Sequence, residues 1–103
     1  MTVREVLVER LHALPGVTQG RSRNGHGSSF FTGGREIAHF HGERRMDVRL
    51  TKSEIQRRKD EGTLDPRMTA RGPSAEWVEV RLGNAGDVPF AVELVEDAVR
   101  ANS

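Results

Sequence analysis

Two histidines separated by one residue stand in the run Glu36-Ile37-Ala38-His39-Phe40-His41. On a strand, residues two apart project to the same side, so the imidazoles of His39 and His41 point together. The next alternating run, Met46-Asp47-Val48-Arg49-Leu50, brings Asp47 and Arg49 within cross-strand reach. Two imidazoles and a carboxylate, His39, His41 and Asp47, can hold zinc or iron with a coordination position left open, and Glu79 is the other acid able to complete the set. Without a metal, either histidine oriented by Asp47 could serve as a general base. The plainer reading is a pair of partly solvated histidines beside neighbouring acids. No nucleophile accompanies them: Ser28, Ser29 and Thr32 read as ordinary turn and strand residues. A nucleophile elbow, a Walker motif and a dinucleotide fingerprint are all missing from the sequence.

The elements that must position these residues follow from periodicity and punctuation. Thr2 is a plausible N-cap, and Val3, Val6, Leu7, Leu11 and Leu14 then repeat at helical spacing until Pro15-Gly16. His12 sits at the border of that apolar stripe. Short strands are expected over 17–23, 28–32, 35–41 and 45–50, joined by Asn24-Gly25-His26-Gly27, Gly33-Gly34 and Gly42-Glu43-Arg44. The glycine pairs look like hairpin turns rather than phosphate loops. Thr51-Lys52-Ser53-Glu54 has the form of a capping box, opening a short polar helix that Gly62 ends. Residues 64–74 read as a long loop. A strand with clean alternation runs over 75–82, and Asp87 caps a final helix with Pro89 in its first turn.

Alternation also assigns faces. Met46, Val48 and Leu50 go inward with Val78, Val80 and Leu82, and Ala38 and Phe40 join them. Ile37, His39 and His41 then turn outward, so the open-face candidates are His39, His41, Asp47, Arg49, Trp77, Glu79 and Arg81. If Ile37 faced the core instead, simple alternation would bury His39 with it. The expectation is an α+β fold in two layers: an antiparallel β-sheet with helices on one face, in the order α, three or four β, α, β, α.

Composition bounds the rest. At 103 residues the chain is expected to be one domain over 1–103 with one small core. Apolar content is 35 %, mean hydropathy −0.59 and charged content 30 %, but apolar runs separated by Gly and Pro mark a folded chain. With no cysteine, disulfides, thiolate ligands and cysteine nucleophiles are excluded, and a reducing, cytoplasmic setting is expected. The charged first turn, with Arg4 and Glu5, does not read as a signal peptide, and no apolar run approaches the ~20 residues of a membrane span.

The net charge is +1, which argues against strong nonspecific binding of polyanions, yet the stretch 21–82 holds 13 basic residues against 9 acidic. Fourteen of the 16 basic residues are arginine, for which codon bias is the plain explanation. Arg21 and Arg23 flank a turn, Arg57, Arg58 and Lys59 end a helix, Arg67 and Arg71 lie in the long loop, and Trp77 could stack on a base. Together they make nucleic acid the alternative partner, while solvation at a helix end and core packing are the ordinary roles of such residues.

The run from Glu36 to His41 followed by Met46 to Leu50 resembles the luciferase-domain family of small bacterial and fungal proteins, over roughly residues 14–100. There a Glu-Phe-Ala-His-Leu-His-like strand precedes a second alternating strand and a helix, then a Gly-rich loop with His-Pro, an apolar strand and a closing helix. The resemblance implies that order of elements; it implies neither light emission nor any cofactor, and none is expected. Asp65-Pro66 stands where many members carry His-Pro, so any chemistry of that histidine is lost here or passed to a carboxylate. Leu14-Pro15-Gly16-Val17 and Trp77-Val78-Glu79-Val80 also look like the YjbR-type DNA-binding domains, which implies a secretion-chaperone-like arrangement and keeps nucleic acid as a partner. The leading expectation is a small cytosolic binding or accessory domain that takes a small-molecule or protein ligand on its open sheet face. A nucleic-acid binder is the first alternative, and a metal-dependent or histidine-based enzyme is the second.

Overall fold

The computed structural model describes residues 1–21, 28–72 and 74–103. The elements are α1 (Val3–His12), β1 (Thr18–Arg21), β2 (Ser28–Thr32), β3 (Arg35–Phe40), β4 (Arg45–Arg49), α2 (Lys52–Glu61), β5 (Met68–Ala70), β6 (Trp77–Arg81) and α3 (Val88–Ala101). The strands form one sheet in the order β1-β2-β3-β4-β6-β5, every neighbouring pair antiparallel. This is the expected α+β architecture. One departure is β5: it occupies part of the stretch read as loop, because three residues after Pro66 are too few to show alternation. Arg23 and the Asn24–Gly27 turn lie outside the described residues. None of the described helices is long and apolar enough to cross a membrane.

One face of the sheet carries the core. Phe30, Ala38, Phe40, Met46, Val48, Val78 and Val80 are buried against Leu7 and Leu11 of α1 and against Ala91, Leu94, Val95 and Ala98 of α3. Phe30 and Phe40 meet edge to face, with centroids 6.2 Å apart. Helix α2 adds Ile55 to the same core and is tied to α3 by Arg58 and Asp97. All three helices therefore serve one side of the sheet.

The local signals at the helix ends held in part. Thr2 and Glu5 form the reciprocal box that opens α1. At α2, Thr51 accepts from the Glu54 amide at 3.5 Å, but the Glu54 carboxylate turns to Arg57 and Arg58 instead of reaching back. Charge-assisted partners on the next turn win over a neutral backbone amide. At α3, Pro89 lies in the first turn as expected, yet the Asp87 carboxylate makes no cap bond to α3. It turns backward to accept from the amides of Gly83 at 2.7 Å and Asn84 at 3.2 Å.

Asp87 also accepts from Arg67 at 2.8 Å, and Asp65 holds the same guanidinium through both oxygens. Arg67 stacks over Phe90, 3.8 Å from the ring centroid. Asp65 and Asp87 thus join the stretch before β5 to the turn before α3. The Arg67 guanidinium, with backbone amides, holds both carboxyls below the usual aspartate range. A depressed carboxylate stabilises the fold above its unfolded pKa, and that contribution fades as pH falls through the folded value. Asp87→Ala is therefore expected to cost about 1–2 kcal/mol at neutral pH. In urea unfolding, the gap between wild type and variant should close on acidification below about pH 4.

Candidate metal centre on the open sheet face

The outer face of the sheet is built in rows. Cross-strand register sets Ser29 beside His39, His39 beside Asp47, Asp47 beside Glu79, and Glu79 beside Thr69. The next row pairs Arg49 with Trp77, and the row on the other side pairs Arg45 with Arg81. No described helix packs on this face, and Trp77 is half-buried there with its ring centroid 5.1 Å from that of His39.

Alternation was expected to put Ile37 on this face with the histidines. The structure corrects that: Ile37 is fully buried, and so is Ala38. Phe30 pairs with Ala38 and Phe31 with Glu36, so Ile37 is an extra residue in β3. Such a bulge shifts the inside-outside phase by one. Ile37 enters the core while His39 stays half-exposed beyond it, and Glu36 is returned to the open face. The feared consequence, that an inward Ile37 would drag His39 inward, is removed by this one inserted residue.

On that face three donor atoms meet. His39 Nε2 lies 3.0 Å from Asp47 Oδ2, His41 Nε2 lies 2.6 Å from the same oxygen, and the two nitrogens are 3.3 Å apart. Three ligand atoms each about 2.1 Å from one ion would be about 3.0 Å apart at right angles and about 3.4 Å apart in a tetrahedron. Each residue offers one ligand atom to the group. His41 is the exposed member, and His39 and Asp47 are half-buried. Asp47 leads the other acid considered, since Glu79 is held by Arg45 at 3.8 Å and Arg71 at 2.9 Å.

Behind the triad, His39 Nδ1 is buried without a hydrogen-bond partner, and the nearest acid is Glu36, with Oε1 at 3.5 Å. Sequence reading passed over Glu36 because simple alternation places it on the inner face. It also passed over Ser29, which is fully buried beside His39 with an unpartnered hydroxyl. A single serine on a strand carries no signal of its neighbours. Arg49 reaches Glu76 with one nitrogen at 3.3 and 3.4 Å, and Arg81 is exposed at the rim.

Four of the arginines assigned to nucleic acid stand against acids. Arg57 is paired with Glu54 and Glu61, Arg58 with Glu54 and Asp97, Arg67 with Asp65 and Asp87, and Arg71 with Glu79. Lys59 is exposed on α2, and Arg21 ends β1. Asp65 spends both oxygens on Arg67.

Residues 34–98, from the β2–β3 turn into α3, match the family model described as the luciferase domain. The chain belongs to the luciferase-domain family. The match covers β3, β4 and β6, so every member of the triad lies within the luciferase-domain stretch, and α1, β1 and β2 precede it. No curated protein and no solved structure matches the chain.

Proposed function

We propose that this luciferase domain is a small metal-binding module, holding one divalent transition ion on its open sheet face through His39, His41 and Asp47. The observation that carries the reading is the convergence of two imidazole nitrogens and one carboxylate oxygen within 2.6 to 3.3 Å of each other. Two histidines and one carboxylate bound facially leave positions for water or a ligand, an arrangement suited to zinc or ferrous iron. The absence of cysteine confines the donor set to nitrogen and oxygen. Glu36 supports the reading from behind. A ligating imidazole commonly gives its remaining N–H to a carboxylate, which fixes the ring and raises its basicity. Glu36 is the acid stationed at His39 Nδ1.

The test is a titration of chelator-stripped protein with zinc, read by calorimetry and by elemental analysis after dialysis. One ion per chain is expected. Protein that takes up no more zinc than the His39→Ala variant would end the proposal. Glu36→Gln keeps the shape and removes the charge, and it should weaken zinc binding by about 10-fold without changing the stoichiometry.

A further inference from the structure

Beside the triad runs a groove of about 460 Å³, lined by Phe31, Gly33, Gly34, Arg35, Glu36, Arg49 and Trp77. That volume lies within the range of small-ligand sites. Its walls come from the rows already described. Trp77 stands opposite Arg49 in the register, and Phe31 stands opposite Glu36. The Phe31 ring lies close over Gly20 of β1, where a Cβ would come within 3.0 Å of it, so glycine there gives the ring its seat. At the end of the groove the two-residue turn Gly33-Gly34 has φ of +56° and +81°. Both glycines leave open space where a side chain would stand.

Arg49 is the chemically notable group. It is half-buried on β4, and its Nε is buried without an acceptor. The ion pair with Glu76 uses a single nitrogen, Nη2, at 3.3 Å, and Glu76 is the more exposed partner. A guanidinium carries five N–H donors in a planar fork that suits a carboxylate held through both oxygens. Arg35 adds a second positive charge to the groove. The one acid lining it, Glu36, is drawn to His39 at 3.5 Å.

We infer that this groove binds a flat aromatic carboxylate, with its ring against Trp77 and Phe31 and its carboxylate on Arg49. Aromatic faces and a partly unsatisfied guanidinium select for flatness and for a planar anion together. The site goes beyond the metal reading and does not depend on it, since none of its three contact residues is a metal ligand. A carboxylate seated there would nevertheless lie beside the triad, because Trp77 touches His39.

Trp77 is the single tryptophan and the chain has no tyrosine, so intrinsic fluorescence reports on this groove directly. Metal-free protein titrated with benzoate should show a saturable change in Trp77 emission. Benzamide, without the charge, and cyclohexanecarboxylate, without the flat ring, should each bind about 10-fold more weakly or worse. Arg49→Ala should lose about 10-fold or more in benzoate affinity. Arg49→Lys, which keeps the charge and the long stem, should also lose affinity because a point charge cannot hold both oxygens, and far-UV dichroism verifies that each variant is folded. Because benzoate is titrated into metal-free protein, its saturation is read apart from zinc uptake, which separates a failure here from a failure of the metal proposal. No saturable response to benzoate, or inorganic phosphate binding as tightly as benzoate, overturns the inference.

Discussion

Asp47→Ala protein is expected to bind zinc about 1,000-fold more weakly than wild type, or not measurably, while remaining folded. The magnitude follows from the position of Asp47. Its Oδ2 is the atom that both imidazoles approach, at 3.0 and 2.6 Å. Removing it takes away the only charged donor of the three and leaves two neutral ligands on an open surface. Loss of an outer partner alone costs about 10- to 100-fold in metal affinity, and loss of a ligand should exceed that. Stability should change little, by about 1 kcal/mol or less, because all three side chains lie on the face away from the core. Asp47→Asn keeps the volume and one oxygen but not the charge, and it should fall between wild type and Asp47→Ala. Competition with a chelator of known affinity measures all three. Zinc binding unchanged in Asp47→Ala would place the ion elsewhere.

Ile37→Lys is expected to destabilise the domain by more than about 4 kcal/mol, a large share of the roughly 5–15 kcal/mol that holds a chain of this size folded. Strict alternation makes the opposite forecast, since it sets Ile37 on the open face, where a lysine is harmless. The bulge in β3 decides between them. Ile37 has no cross-strand partner in the β2–β3 ladder and is fully buried. An ammonium there would be stranded within the hydrophobic core. Urea unfolding followed by far-UV dichroism measures the effect. A wild-type midpoint would mean that Ile37 faces water and that β3 carries no bulge at this position.

Much of this fold could be read from local chemistry. Capping residues, glycine-marked turns and the two apolar periods located all three described α-helices and five of the six described strands. The inward residues Met46, Val48, Leu50, Val78, Val80 and Leu82 were assigned by alternation and are all fully buried. These signals are local, because each depends on a few neighbouring residues and on the geometry of a single element. The same locality brought His39, His41 and Asp47 into view, since two of them share a strand and the third stands on the next.

What the chain's order could not express is how the strands meet. The phase of β3 is set by an unpaired residue that exists only when β2 lies alongside it, so Ile37 was assigned to the wrong face and Glu36 was passed over. Strand β5 has no alternation to show in three residues and is defined by its pairing with β6. The arginines were read as a set because they are alike in type, and only packing revealed that Arg57, Arg58, Arg67 and Arg71 each stand against acids. The pattern of side chains along the chain was enough to name the three metal-ligand candidates and the sheet that carries them. Their convergence on a common point, the acid behind His39 and the groove beside Trp77 arise from contacts between strands distant in sequence, where register and a single bulge choose which atoms face each other.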